Sequence, residues 1–335
     1  MTHPNSHPYD SGIILTDENG CVNGWLHKEE ERLWYQNRVN AGIHLFSPEI
    51  FSPEVFAKGE GNPLFRVLKK VDLDREVLKP LIATGRLYAY DSPEYVKDMG
   101  TPDRFFAVEE DLRLGKVELR NLGKKQKAVF LDRDGTLNRY VGFLRDIDQL
   151  ELLPGAAEAV RAINETGYLA VLVTNQPVIA RGEVTAGQLR AIHNKLETLL
   201  GQEGAYLNAI YYCPHHPHKG YAGEVAELKV ECTCRKPAPG MLLQAARDWN
   251  IDLSASWMIG DSENDVEAGR AAGCRTARII PAAVPEPAKE DSKLEVTKAD
   301  SKLEVTKEDS KLEVTKADLK VESILEFTRL FLERV

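Results

Sequence analysis

A chain of 335 residues exceeds one ordinary hydrophobic core and suits two domains. Its net charge of −9 argues against a general nucleic-acid binder, which needs a basic face. No apolar run approaches the length that spans a bilayer, and the N-terminus has neither the basic nor the apolar stretch of a signal peptide, so a cytoplasmic protein is expected. The first elements are two short apolar runs, 12–15 and 21–26, flanking Asp17-Glu18-Asn19-Gly20 as a hairpin turn. A strand is expected over 37–46, helical periodicity over 65–82 and another strand over 85–90. After Asp98 the chain enters a helix with a proline early in it, at Pro102.

This order resembles the C-terminal half of the sugar-1-phosphate nucleotidyltransferases. The matching pieces are V-N-A-G-I at 39–43 and D-x-G-T-P at 98–102. In that family the Asp of the second motif helps hold a catalytic Mg²⁺, which points to Asp98. The family's Gly-rich loop, whose backbone N–H groups reach the triphosphate, does not precede these motifs here. Residues 1–120 are therefore expected to be a truncated, partial nucleotidyltransferase-like region without transfer activity. A polar, basic linker is expected at 121–127, and the second domain over 128–335.

The apolar run 128–131 is too short for a typical helix and contains Val129 and Phe130, so it reads as a buried strand. It ends on two carboxylates, Asp132 and Asp134, followed by Gly135 and Thr136. Carboxylates this close repel unless a cation lies between them or one keeps its proton. A hard divalent ion such as Mg²⁺ takes oxygen ligands and usually accompanies phosphate. A helix is expected from 153 to 166, then a strand buried on both faces over 168–173 that ends in Thr174, Asn175 and Gln176. Strand, helix, strand, with polar residues at each strand's C-terminal end, is the unit of an α/β fold: a Rossmann-like parallel sheet with helices on both faces.

D-x-D-G-T at 132–136 resembles the nucleophile motif of the haloacid dehalogenase (HAD) phosphatases. The resemblance implies that Asp132 attacks phosphorus and carries an aspartyl-phosphate, while Asp134 acts as general acid and base. Thr174 matches that superfamily's second motif, a hydroxyl bonded to a phosphoryl oxygen, with Asn175 and Gln176 as further donors.

A long amphipathic helix starts at 184, with Leu189, Ile192, Leu196, Leu199 and Leu200 on one stripe. His193 within it reads as a surface or packing histidine. After a strand over 207–212 come Cys213-Pro214-His215-His216-Pro217-His218 and, later, Cys232-Thr233-Cys234. C-x-H followed by C-x-C offers four ligands that suit a tetrahedral structural Zn²⁺ and would staple the loop between them. His216 and His218 stand as alternatives to His215. The pattern resembles the zinc loop of the histidinol-phosphatase and heptose-bisphosphate-phosphatase branch of the superfamily, which matches Cys213, His215, Cys232 and Cys234. Lys236 matches the lysine that neutralises the transferring phosphoryl group. Arg235 beside it suits a second phosphate, because guanidinium binds phosphate in a bidentate fork.

A helix over 240–249 leads to a strand over 256–260 that ends at Asp261. G-D-x-x-x-D at 260–265 matches the superfamily's metal motif. It implies Mg²⁺ held by Asp132, Asp261 and Asp134, the last through its backbone carbonyl, with Asp265 supporting them. A strand follows over 275–280. From Asp291 a nine-residue unit, D-S-K-L-E-V-T-K-A/E, starts at 291, 300 and 309. An odd period flips the alternation of apolar and charged residues at every repeat, so 284–316 is expected to be a mobile, charge-balanced insertion. A helix over 321–332 should close the domain.

The expectation is a Mg²⁺-dependent phosphatase with a structural zinc and a small sugar-phosphate substrate. No nucleic-acid or membrane partner is expected, and the oligomeric state is open. The resemblance favours D-glycero-D-manno-heptose 1,7-bisphosphate losing its 7-phosphate, because a sugar 1-phosphate is what a nucleotidyltransferase would activate next. Histidinol phosphate is the alternative substrate. Sugar-1-phosphate nucleotidyl transfer is the rival activity from another class, and a non-catalytic zinc scaffold is the third reading.

Overall fold

In the computed structural model, which describes residues 1–51, 72–220, 222–281 and 315–334, the N-terminal region builds a small antiparallel sheet. Its strands are β1 (Thr2–His3), β2 (Ile13–Thr16), β3 (Val22–Leu26) and β4 (Val39–Asn40), in the order β1-β4-β2-β3. The β2–β3 hairpin closes as expected. The Asp17 carboxylate accepts from the N–H groups of Asn19 and Cys21, at 2.8 and 2.9 Å. The strand expected over 37–46 shrinks to β4, because Gly42 turns the chain away at φ +70°. The segment 85–90 forms no named strand: it makes one isolated bridge, Cys21 to Tyr88, and packs Leu87 and Ala89 against the core of Ile14, Val22 and Trp25. The expected helix over 65–82 is described only from 72 on, where Leu73–Leu78 and Lys79–Leu81 are helical. Helix α1 (Pro102–Arg113) starts at Thr101, whose hydroxyl caps it.

The larger body is a six-stranded sheet, parallel throughout. Its strands are β5 (Ala128–Leu131), β6 (Leu169–Asn175), β7 (Ala209–Cys213), β8 (Trp257–Gly260), β9 (Arg275–Ile279) and β10 (Leu319–Val321). They lie in the order β10-β9-β8-β5-β6-β7. The helices are α2 (Ala156–Glu165), α3 (Ala186–Gln202), α4 (Gly240–Asp248), α5 (Glu263–Ala272) and α6 (Ile324–Leu332). The two-residue period of β5 sends Val129 and Leu131 into a core shared with α2, α3 and α6. It sends Ala128 and Phe130 into a second core, shared with α4 and α5. Both faces are therefore covered, as all-parallel sheets require.

Helix α6 closes the first core as expected. Phe327 and Phe331 are fully buried, and Phe331 meets Tyr168 edge-on at 4.9 Å between ring centres. Strand β10 was not expected. It adds to β9 through Leu319 and Val321, just before α6. Of the repeat segment, residues 284–314 lie outside the described residues.

The N-terminal region packs on the larger body through buried charge. Arg38 donates to Asp91 (2.6 Å), to Glu197 on α3 (3.1 Å) and to the Asn208 carbonyl (3.1 Å). Tyr35 and Thr198 exchange two further hydrogen bonds, at 3.0 and 3.2 Å. The segment read as a linker, 121–127, is also tied down. Gln126 is buried and exchanges backbone hydrogen bonds with Asn250 and Asp252, and the Asn250 side chain donates to the carbonyls of Leu122 and Lys124.

Candidate active site

Asp132 directly follows β5, and Asp261 directly follows β8. From β5 the strand order runs outward both ways, so these neighbours form the switch point at which open parallel sheets bind ligands. Asp132, Asp261 and Asp265 each bring a carboxylate oxygen within 4.8 Å of the others. Lys236 is buried against them. Its ammonium donates to Asp132 Oδ1 at 2.6 Å and to the Val173 carbonyl at 2.8 Å, and it pairs with Asp265 Oδ1 at 2.5 Å. Asp265 is fixed in turn by a capping box at the start of α5, where its Oδ2 accepts from the N–H and hydroxyl of Ser262. Gly135 sits at φ +80°, and a Cβ there would lie 2.1 Å from Asp261 Oδ2. Any side chain at 135 would displace that carboxylate.

Three carboxylates facing one ammonium leave two negative charges uncompensated in a buried crevice. Burial is the largest cause that raises the Asp132 pKa; Asp265 and Asp134 add to it, and Lys236 opposes it. Burial, then the Asp265 charge, pushes Asp261 up to about 6. Burial alone would lower the pKa of Lys236, but Asp132 and Asp265 hold it above the usual lysine value. A divalent cation with oxygen ligands matches this deficit in charge and in chemistry, so these residues fit Mg²⁺.

The Asp134 carboxylate is not part of that group. It is bracketed by donors: Arg133 Nη2 at 2.9 Å, Asn138 Nδ2 at 3.0 Å and Gln176 Nε2 at 3.1 Å. Gln176 is thereby tied to the Asp134 carboxylate. Its amide also donates to Thr174 Oγ1 at 2.9 Å and accepts from Arg133 at 3.0 Å, so both of its N–H groups are engaged. Because Thr174 Oγ1 accepts there, its own hydrogen is left to donate. Asn175 is engaged with backbone. Its side chain exchanges two 3.0 Å hydrogen bonds with the backbone of Lys236 and so positions the lysine. Arg235 donates to the His215 carbonyl at 3.3 Å.

The four sequence-derived zinc ligands converge. The sulfurs of Cys213, Cys232 and Cys234 lie 3.2 to 3.5 Å apart, and His215 Nδ1 is 3.3 Å from Cys234 and 3.6 Å from Cys213. No disulfide joins them. Of the three histidines it is His215 that lies with the sulfurs, while His216 and His218 meet each other edge-on. Ligand atoms at these separations fit around one tetrahedral ion with bonds of about 2.0 to 2.3 Å. The donor set matches Zn²⁺.

Sequence reasoning missed Arg133 and Asn138 and left His193 open between surface and packing, of which the structure shows packing. Arg133 is fully buried among the described residues, and His193 is nearly so. A signal for His193 existed: four residues after Leu189 and three before Leu196, it lies on the apolar stripe of its helix. The position between two aspartates carries no such signal for Arg133. Asp98, by contrast, is an exposed loop carboxylate that accepts from Gly100 N–H and pairs with Arg104.

Comparison with known proteins gives consistent matches. The sequence model described as "Hydrolase: haloacid dehalogenase-like hydrolase" matches residues 68–273. A D-glycero-beta-D-manno-heptose-1,7-bisphosphate 7-phosphatase of Yersinia pestis is 42% identical over 165 residues, 49% of this chain and 86% of that protein. The protein of the same name from Escherichia coli (strain K12) is 40% identical over 164 residues, 49% of this chain and 84% of that one. A solved structure of D,D-heptose 1,7-bisphosphate phosphatase from B. bronchiseptica, complexed with magnesium and phosphate, is similar at 27% identity and a TM-score of 0.47. It covers 63% of this chain and 100% of that one.

Proposed function

The chain belongs to the haloacid dehalogenase-like hydrolases and is a phosphatase, and on that premise we propose that it removes the 7-phosphate from D-glycero-β-D-manno-heptose 1,7-bisphosphate. The observation that carries the chemistry is the buried group of Asp132, Asp261, Asp265 and Lys236 at the switch point of the sheet. The names of relatives at about 40% identity support the substrate and the β anomer.

A carboxylate oxygen of Asp132 attacks phosphorus, and the bond from phosphorus to the sugar oxygen breaks. Asp134 gives its proton to that leaving oxygen. Lys236 and the free hydroxyl hydrogen of Thr174 bind phosphoryl oxygens. Asp134, now a carboxylate, takes a proton from water as the water attacks the phosphoryl-aspartate, and inorganic phosphate leaves with Asp132 restored. Asp132, Asp261 and the Asp134 backbone carbonyl would hold magnesium, which would supply positive charge to offset that of the transferring phosphoryl group. Arg235 is read as the group for the substrate's other phosphate. Cys213, His215, Cys232 and Cys234 would hold zinc in a structural role, since four protein ligands leave no open position. Unpaired, converging thiols support a reducing compartment such as the cytoplasm. Among the described residues no helix is long and apolar enough to cross a membrane.

The likeness of residues 1–120 to nucleotidyltransferases rests on two short motifs, and we read that region as without transfer activity. Its Asp98 is engaged with Arg104.

The test is phosphate release with Mg²⁺ from both anomers of heptose 1,7-bisphosphate and from histidinol phosphate. Preference for the β anomer is expected. Preference for histidinol phosphate keeps the mechanism and discards the substrate.

A further inference from the structure

Arg133 is the largest fully buried side chain among the described residues, and it lies beside the reacting groups. A guanidinium persists in such a place only where its N–H groups find acceptors. Nε and Nη2 reach Asp134, at 3.2 and 2.9 Å, and Nη2 also reaches Gln176 Oε1 at 3.0 Å. Nη1 meets His193 Nε2 at 3.3 Å. Asp134 and Gln176 both follow the ends of sheet strands. His193 comes from α3, in another layer of the fold.

A guanidinium only donates, so His193 Nε2 must hold the lone pair and the imidazole is neutral, with its proton on Nδ1. Burial, then the Arg133 charge, keeps the His193 pKa well below its ordinary value, in agreement with that state. One turn further along α3, Glu197 pairs with Arg38, so the helix that carries the imidazole is itself anchored.

We propose that His193 is a positioning residue for the general acid: by accepting from Arg133 it fixes the guanidinium fork, and the fork fixes the carboxyl group of Asp134 relative to Asp132. This rests on the reading of Asp134 as the acid for the leaving oxygen.

The leaving group separates this role from a merely structural one. In kcat/KM the first irreversible step is cleavage of the phosphorus–oxygen bond. A sugar oxygen needs a proton to leave, whereas p-nitrophenolate leaves without one. His193→Leu should lower kcat/KM for heptose 1,7-bisphosphate about tenfold or more and change that for p-nitrophenyl phosphate by about twofold or less. His193→Gln, whose amide oxygen accepts from the same Nη1, should restore most of the loss. Asp134→Asn should show the same split more strongly.

Equal losses on both substrates, or no loss on either, overturn the proposal. If His193→Leu does not fold, Arg133→Met removes the other end of the hydrogen bond without placing a new charge in the core, and the same split is required of it. Asp134→Asn without the split removes the general-acid reading and this proposal with it. A wild-type enzyme inactive on both substrates refutes the phosphatase reading itself.

Discussion

Asp132, Asp261 and Asp265 outnumber the one ammonium that faces them, and the imbalance has a sign that pH can expose. A carboxyl group with a raised pKa contributes stability that is fully present below its unfolded value. For Asp261 that contribution is lost as pH rises from 3.8 through about 6. Asp132, raised for the same reason of burial, moves in the same direction. A bound divalent cation removes the cause. The gain in Tm on adding Mg²⁺ to chelator-treated protein should therefore grow from about pH 5 to about pH 8 by scanning calorimetry. An equal gain at both ends would count against the charge deficit. The convergence of Asp132 with Asp261, and of Cys213 with His215, Cys232 and Cys234, was legible in the sequence, because short motifs at strand ends and in one loop carry these residues. Arg133 was not, since its burial is imposed by α3 and β6, tens of residues away.

Among the elements, the cysteine loop is coupled to Lys236 by chain proximity. Cys234 stands two residues before Lys236, and the Thr233 carbonyl accepts from the N–H of Gly240, where α4 begins. A Cβ on Gly240 would lie 2.2 Å from that carbonyl oxygen, so helix and loop meet without spare room. Cys234→Ser should lose the bound zinc, read by mass spectrometry, and lower kcat/KM by about 10- to 100-fold. Full activity in zinc-free protein would sever the loop from Lys236. Most parallel strands and their helices were legible, because apolar runs and amphipathic stripes alternate along the chain. Strand β10 was not. Its Leu319-Lys320-Val321 has the same apolar-charged-apolar form as the Leu-Glu-Val of each upstream repeat, and only the open edge of β9 tells them apart.

For the whole molecule, Arg38 ties the N-terminal region to α3 and to the chain before β7. Glu197 is buried on α3, and burial, the largest cause, raises its pKa even with Arg38 beside it. Arg38→Met leaves that carboxyl without its partner and should cost about 3–5 kcal/mol, measured by urea denaturation. Arg38→Met with Glu197→Leu should recover most of the loss. If the single variant is as stable as wild type, residues 1–120 are a detachable appendage. A boundary at 120 was a fair reading of composition, but a pairing between residues 159 apart leaves no mark in a linear pattern.

Strands β9 and β10 are neighbours that run the same way, so the chain between them returns from one end of the sheet to the other. Parallel pairing fixes where that connection begins and ends, at described residues on both sides of the repeats. The nine-residue units fall within it, and each is a whole number of codons. Template slippage during replication would add or drop a unit in frame, leaving β10 and α6 where they are. Selection on the enzyme has little means of seeing that event, so alleles of this gene should differ in unit number while agreeing at the positions that line the sheet.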